Sequence, residues 1–178
     1  MPESRVTAHQ AGVVVLGESV LMANALDIVS QSPEETERLG TCLAAMLRVG
    51  AVVALRGELA SGKTCFVRGM AEHAAAGASV HSPTFTLVNQ YGDEPRLYHL
   101  DLYRLESIDA LIDLGYDECF DSDGICVIEW AERADPLLPA KRLDIYLEHM
   151  AETTRRLRFV DAGVLPPGWQ EALREGRS

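Results

Sequence analysis

The sequence has 178 residues, enough for one domain with a sizeable buried core. Its 27 acidic and 16 basic residues give a net charge of −11, which disfavours a broad surface that binds tRNA or DNA phosphates directly. The four cysteines form no C-x-x-C pair, so the sequence indicates neither a zinc ribbon nor a disulfide scaffold, and a reducing cytoplasm is the expected location.

The beginning of the chain carries little pattern. Residues 1–22 have weak periodicity and are predicted to be a loosely ordered extension, which leaves residues 23–178 as a single domain. The most apolar stretch, residues 11–29, is interrupted by Glu18, Asn24 and Asp27 and has no basic cluster before it. This pattern argues against both a membrane span and a signal peptide.

The first regular elements follow. Residues 25–29 are predicted to be a strand. Ser32 is a predicted N-cap, because a proline comes next and a glutamate stands three residues later. The helix that it starts is predicted over residues 33–47. Residues 51–55 are a continuous apolar run, which favours a strand buried on both faces in the middle of a sheet.

A helix of good helix formers is predicted over residues 63–76, where Gly77 ends it. Residues 87–91 and 96–102 are predicted strands, because the turn between them is rich in helix and strand breakers.

The remaining elements are shorter. Ser107 can cap a short helix, and residues 125–128 are predicted to be another buried strand. Residues 143–148 and 155–160 are predicted to form an antiparallel hairpin at the sheet edge, and a short polar helix is expected to begin at residues 166–169.

Residues 57–64 match the phosphate-binding motif G-x-x-x-x-G-K-[ST] between a predicted strand and a predicted helix. The glycines let successive backbone amides face a phosphate, and the helix adds the positive end of its dipole. Lys63 is expected to reach the β and γ phosphates, and the Thr64 hydroxyl to join the magnesium shell. A chance glycine-rich turn is disfavoured because both flanking elements are predicted. The motif therefore predicts ATP and Mg²⁺ as cofactors.

This motif also sets the predicted fold class. We expect an α/β, P-loop NTPase-like three-layer sandwich with a central, mostly parallel sheet and an antiparallel edge hairpin.

Two acids end predicted strands near this loop. Asp101 follows residues 97–100, and Glu129 follows residues 125–128. A phosphate-binding loop needs such an acid to hold magnesium or its water and to orient an attacking water. A solvent-exposed carboxylate or a helix cap is the alternative interpretation of each. Which of the two acids contacts the metal directly stays open.

Further sequence motifs narrow the range of P-loop families that the chain resembles. They are Ser-Pro-Glu-Glu-Thr at residues 32–36, Phe-Val-Arg-Gly at 66–69, Ser-Pro-Thr-Phe-Thr-Leu-Val at 82–88, His-Leu-Asp-Leu-Tyr-Arg at 99–104, and Glu129 followed by Trp130. With the phosphate loop, these ordered motifs make residues 32–147 resemble the TsaE family, also called YjeE, the small ATPase of bacterial tRNA threonylcarbamoyladenosine synthesis.

The resemblance implies a role for each matching residue. Thr64 and Glu129 would hold magnesium, and Asp101 and Lys63 would serve in catalysis. Residues 82–86 would form a switch-like loop, whose hydroxyls can sense a γ-phosphate. The full set of implied nucleotide-binding residues is Gly57, Glu58, Leu59, Ala60, Ser61, Gly62, Lys63, Thr64, Cys65, Ser32, Thr36, Thr84 and Trp130, of which Ser32, Thr36 and Trp130 are expected near the base.

Four nearby side chains keep two interpretations each. His99 and Tyr103 alternate with leucines, so they either face the site or are satisfied polar groups beside the core. Arg68 and Arg104 either contact a phosphate or a partner carboxylate, or they form ordinary surface ion pairs.

The loop departs from the usual family sequence Gly-Asp-Leu-Gly-Ala-Gly-Lys-Thr-Thr. Glu58 keeps the charge, and Ala60 stands where glycine is free to adopt a positive φ. Binding is expected to survive, whereas the hydrolysis rate is expected to depend on these changes. Cys65 is either a thiol with a pKa lowered by the helix dipole or a small packing residue.

Three functions remain to be separated. The favoured one is an ATPase that supports TsaB and TsaD, the partners implied by the resemblance, and that meets tRNA only indirectly. The second is a small-molecule P-loop kinase, which usually needs an arginine-bearing lid, and residues 106–123 contain no arginine. The third is a nucleotide-dependent binding module with little hydrolysis.

Overall fold

The computed structural model of the chain describes residues 24–76, 87–93, 96–113, 115–120 and 123–176. The predicted extension, residues 1–22, and the predicted switch-like loop, residues 82–86, lie outside this part. The division into an extension and one domain therefore stays a prediction.

The described residues form a mixed series of strands and helices. The strands are β1 (Ala25–Ser30), β2 (Val52–Arg56), β3 (Val88–Tyr91), β4 (Arg96–Asp101), β5 (Gly124–Glu129), β6 (Leu143–His149) and β7 (Arg155–Asp161). The α-helices are α1 (Pro33–Met46), α2 (Lys63–Ala74), α3 (Ile108–Asp113), α4 (Asp117–Phe120) and α5 (Trp169–Gly176), and a 3₁₀ segment spans Ala131–Leu137.

The strands of this described part form one sheet in the order β1-β7-β6-β2-β5-β4-β3. The four central strands, β6, β2, β5 and β4, are mutually parallel, and the pairs β1–β7, β6–β7 and β3–β4 are antiparallel. Parallel strands bring their carboxyl ends to one edge of the sheet, where ligand sites of α/β proteins lie. The predicted α/β sandwich with a mostly parallel centre is confirmed.

Two apolar cores lie on opposite faces of the sheet, because successive side chains of each central strand point to opposite sides. Val53 and Leu55 of β2 join the core beneath α1, α2 and α5. Val52 and Ala54 join the other core, which α3, α4 and the 3₁₀ segment cover. Burial on both faces explains why β2 is continuously apolar in sequence.

Several bounds differ from those predicted. Helix α2 ends at Ala74, two residues before the predicted end, and both α4 and the 3₁₀ segment were not predicted. These two elements are too short to show helical periodicity in sequence. The predicted β6–β7 hairpin has β1 on its outer side, so β1 forms that edge of the sheet. None of the described helices is long and apolar enough to cross a membrane.

Glycine allows α1 and α2 to approach each other closely. A Cβ added at Gly69 of α2 would overlap the backbone carbonyl of Glu37, and one added at Gly40 of α1 would overlap that of Phe66. The Thr41 hydroxyl donates a hydrogen bond to the Gly69 carbonyl oxygen over 2.8 Å, which fixes this contact. The close packing places the start of α1 beside the first turn of α2.

Replacing Gly69 with alanine is predicted to destabilise the protein by about 2 to 3 kcal/mol, because the added methyl group meets backbone rather than a movable side chain. An unobstructed helical glycine would gain up to about 1 kcal/mol from the same change. Urea denaturation measures the difference. His73→Ala, an exposed change on the same helix, is the control and should stay within about 0.5 kcal/mol of the wild type. An equally stable Gly69→Ala protein would contradict the packing.

Candidate functional site

The loop between β2 and α2 has the backbone bends that its glycines predict. Gly57 and Gly62 have φ angles of 140° and 106°, which side chains disfavour. A Cβ at Gly57 would also overlap the carbonyl oxygen of Leu147 in β6. Ala60 has a φ of 63°, so this residue adopts the left-handed conformation in spite of its methyl group. The loop therefore keeps its bend at a cost in strain.

The loop leads directly into the amino end of α2. Gly62 precedes the first helical residue, Lys63, and no side chain caps the helix. The first amides of a helix have no partner within the helix, and they carry the positive end of its dipole. Such an end binds phosphate and other anions.

Lys63 is buried, and its ammonium group lies among loop carbonyls. Nζ donates hydrogen bonds to the carbonyl oxygens of Gly57 and Glu58 over 2.7 and 2.8 Å, and it lies 3.4 Å from Ser61 Oγ. Burial lowers the pKa of Lys63, and the nearby carboxylates of Glu129, Glu132 and Asp101 oppose that shift. The Lys63 ammonium group is thus held at the centre of the loop.

The Trp130 ring covers this ammonium group, with Lys63 Nζ 3.8 Å from the ring centroid. Trp130 has a φ of 58°, and its ring also packs against Tyr103 at a centroid separation of 4.9 Å. The resemblance implies a place near the base for Trp130. Its observed place is beside the lysine, which the motif directs at the β and γ phosphates.

The two strand-end acids lie side by side, because Asp101 and Glu129 are register partners in the parallel pair β4–β5. Glu129 is buried, and its Oε2 accepts a hydrogen bond from Thr64 Oγ1 over 3.0 Å. Its Oε1 lies 3.0 Å from His99 Nε2. Asp101 Oδ1 accepts a hydrogen bond from the Tyr103 amide over 3.0 Å. Glu129 thus hydrogen-bonds directly to the phosphate loop through Thr64.

These oxygens suit Mg²⁺, which takes hard oxygen ligands and keeps several waters. The Thr64 hydroxyl and the Glu129 carboxylate supply two such oxygens at one point. No group of three or more His, Cys, Asp or Glu side chains within the described residues can hold a metal ion. In phosphate-binding loops generally, Mg²⁺ takes one or two protein oxygens together with phosphate oxygens and water.

A cleft of about 350 Å³ joins these features. Lys63 and the two acids meet at its wall, and Leu59 at its rim is exposed. Its lining consists of Leu59, Ala60, Ser61, Gly62, Lys63, Thr64, Cys65, Arg68, Asp101, Tyr103, Glu129 and Trp130. Gly57 and Glu58 border the cleft indirectly, through the carbonyl groups that hold Lys63.

The structure places Ser32 and Thr36 in a helix cap rather than in the cleft lining. Ser32 Oγ accepts a hydrogen bond from the Glu35 amide over 3.1 Å, and the buried Thr36 hydroxyl lies 2.6 Å from Ser30 Oγ. This cap adjoins the site, because Cys65 Sγ donates to the Pro33 carbonyl oxygen over 3.3 Å. Thr84 lies outside the described residues.

Cys65 is a buried thiol, and its environment distinguishes a reactive thiol of lowered pKa from a packing residue. Burial raises the pKa of Cys65 to about 11, and the carboxylate of Glu37 adds to the rise. The positive charges of Arg68 and Arg155 lower this pKa by less, so the thiol stays protonated at neutral pH. This supports the interpretation of Cys65 as a packing residue.

Sequence patterns did not single out Arg155. A Cβ built on Gly62 would lie 3.6 Å from Arg155 Nε, so this side chain passes beside the phosphate loop. No motif surrounds Arg155, and the pairing of β7 with β6 and β1 brings it there. Arg68 also lines the cleft, and it pairs with Glu37 over 2.7 Å, as the surface-pair interpretation predicts.

The fold and the site together define a P-loop NTPase-like α/β protein. A crystal structure of YdiB from Bacillus subtilis matches it with a TM-score of 0.66 and 31% sequence identity, covering 85% of this chain and 93% of that one. Residues 30–157 match the family profile described as "Threonylcarbamoyl adenosine biosynthesis protein TsaE".

Curated relatives agree with this match. The protein named tRNA threonylcarbamoyladenosine biosynthesis protein TsaE of Treponema pallidum is 43% identical over 129 residues, which are 72% of this chain and 96% of that protein. The protein of the same name from Bacillus subtilis is 40% identical over 133 residues, covering 74% of this chain and 83% of the relative. The chain belongs to the TsaE family of threonylcarbamoyladenosine biosynthesis proteins, and the resemblance of its motifs is confirmed.

Replacing Ala60 with glycine is predicted to stabilise the protein by about 0.5 to 1 kcal/mol. The change removes a left-handed alanine, which costs about 1 to 2 kcal/mol, and the greater chain entropy of glycine offsets part of the gain. Urea denaturation checks it, with Ala75→Gly, whose φ is −153°, as the control that should lose stability. A destabilised Ala60→Gly protein would contradict the observed loop conformation.

Proposed function

We propose that this protein binds Mg·ATP at the loop of residues 57–64 and hydrolyses it in support of tRNA threonylcarbamoyladenosine synthesis. The hydrogen bond between Thr64 Oγ1 and Glu129 Oε2 carries the proposal. It joins the loop to a strand-end acid beside a buried lysine, which is the arrangement that Mg²⁺ and a triphosphate require. Family membership supports the biological process.

Each side chain has a part in this proposal. The amides at the start of α2 and the Lys63 ammonium bind the phosphates, and Arg155 adds a positive charge beside Gly62. Thr64 and Glu129 would hold a magnesium ion, which would neutralise negative charge on the triphosphate. Trp130 shields Lys63 from water and so strengthens its attraction for phosphate.

Asp101 is proposed to orient the attacking water. Its carboxylate lies beside Glu129 at the adjacent strand end and lines the same cleft. In the reaction the water oxygen bonds to the γ-phosphorus, the bond to the β–γ bridging oxygen breaks, and the water proton passes to a nearby base or to solvent. A side chain that orients such a water and accepts its proton contributes about 10² to 10⁴ in rate.

Calorimetric titration of ATP tests the binding site. Lys63→Ala is expected to weaken binding of Mg·ATP by about 10- to 100-fold, because it removes charge-assisted hydrogen bonds worth about 1.5 to 3 kcal/mol. Lys141→Ala removes an exposed lysine outside this cleft and should bind ATP like the wild type.

Glu129→Ala should bind metal-free ATP normally and lose most of the increase in ATP affinity that magnesium gives. Wild-type binding in both site variants would contradict the assignments, and no binding by the folded wild type would overturn the proposed function.

Phosphate release tests the catalytic part. We propose the TsaB and TsaD proteins as partners in the cytoplasm, and we expect release to be slow alone and strongly stimulated by them. Asp101→Asn should retain ATP binding and lose about 100-fold or more in stimulated turnover.

The net charge of −11 predicts no direct tRNA binding at physiological salt, which gel-shift titration checks. In the phosphate-release assay, phosphorylation of a small acceptor would indicate a kinase. Tight ATP binding without turnover, both with and without TsaB and TsaD, would indicate a binding module.

A further inference from the structure

The two carboxylate oxygens of Glu129 have different partners. Thr64 Oγ1 lies 3.0 Å from Oε2, and His99 Nε2 lies 3.0 Å from Oε1. Glu129 and His99 are both buried, at 2% and 0% exposure. The carboxylate is therefore buried and has a hydrogen-bonding partner at each oxygen.

The sheet brings His99 to this position. Strands β4 and β5 are parallel, with His99 opposite Val127 and Asp101 opposite Glu129. Side chains two residues apart on a strand share a face, so His99 and Asp101 point to the same side of the sheet. His99 reaches diagonally across to Glu129, one strand away and next to the phosphate loop.

The direction of this hydrogen bond is assigned from the proposed role of Glu129. A carboxylate that binds Mg²⁺ accepts hydrogen bonds, so we assign the proton of this contact to Nε2 of the imidazole. The other ring nitrogen, Nδ1, is buried and has no hydrogen-bond partner among the described residues. The ring of Tyr91 stacks against the imidazole at a centroid separation of 6.3 Å. Within the described part of the chain, Glu129 is thus the residue to which the His99 side chain hydrogen-bonds.

We propose that His99 is a positioning residue for Glu129. By donating to Oε1 it fixes the plane of the carboxylate, and this keeps Oε2 beside the Thr64 hydroxyl, where the metal is expected. The inference rests on the proposed function, because it assigns His99 a task only if Thr64 and Glu129 hold magnesium. Groups that orient a metal ligand in this way typically contribute about 10- to 100-fold to metal affinity.

A purely structural pair is the competing explanation, since a broken buried pair also costs stability. The two explanations differ in what a variant changes. A structural role predicts lost folding stability with an unaltered response of the folded fraction to magnesium. A positioning role predicts that metal-free ATP still binds and that the gain from magnesium is lost.

Titration calorimetry of ATP in EDTA and in Mg²⁺ separates these outcomes. His99→Phe fills a similar volume without a donor, and it should bind metal-free ATP like the wild type and lose about 10-fold or more of the magnesium-dependent gain. His99→Gln carries an N–H donor at the end of its side chain and should keep most of that gain. Tyr98→Phe is the matched control, because it removes a buried-strand hydrogen bond, Tyr98 to Asp123 over 2.9 Å, without touching Glu129.

A measurement on the wild-type chain without nucleotide tests the same contact and does not depend on any variant folding. In ¹⁵N NMR spectra of the histidine rings, Nε2 of His99 should carry a proton that exchanges slowly with solvent. Glu129→Ala should make that exchange faster, because the acceptor is gone.

The outcomes distinguish the two proposals. An unprotonated Nε2, or a His99→Phe protein with the full magnesium-dependent gain, would overturn the role of His99 and leave the proposed function standing. If the folded wild type bound no ATP in either buffer, both proposals would be lost together.

Discussion

The hydrogen bond between Thr64 and Glu129 is the contact on which the rest of the site depends. It joins the first turn of α2 to the carboxyl end of β5, and it exists because β2 and β5 are parallel neighbours. The two strands end at the same edge of the sheet, so the loop after β2 meets the acid that ends β5. Antiparallel pairing of these strands would place the loop and the acid at opposite edges.

The same contact explains how two buried charges are accommodated. Lys63 and Glu129 are each almost inaccessible to water, and burying a charge is costly unless other groups compensate. Loop carbonyls and the Trp130 ring surround the ammonium group, and two hydrogen-bonding side chains meet the carboxylate. The site thus places hydrogen-bond donors and carboxylate acceptors side by side, and the surrounding contacts hold both sets in position.

Local sequence patterns were sufficient for most of the architecture. The apolar run of β2, the capping residues of α1 and the glycine-rich loop each depend on neighbours within a few residues, so their elements could be predicted. The short α4 and the 3₁₀ segment could not, since their form depends on what covers the second core. A strongly acidic chain can still hold a phosphate site, because the amides of α2 supply positive charge that no composition count includes.

The sequence by itself determined the phosphate loop, the two strand-end acids and the family, because each depends on residues close together in the chain or on ordered motifs. Only the tertiary structure decided that Glu129 rather than Asp101 meets Thr64, that His99 turns towards Glu129, and that Arg155 lies beside the loop. These contacts join elements 30 or more residues apart, and strand register sets them. A shift of one residue in register would turn every side chain of the shifted strand to the opposite face, and the sequence pattern of a strand buried on both faces does not specify that register.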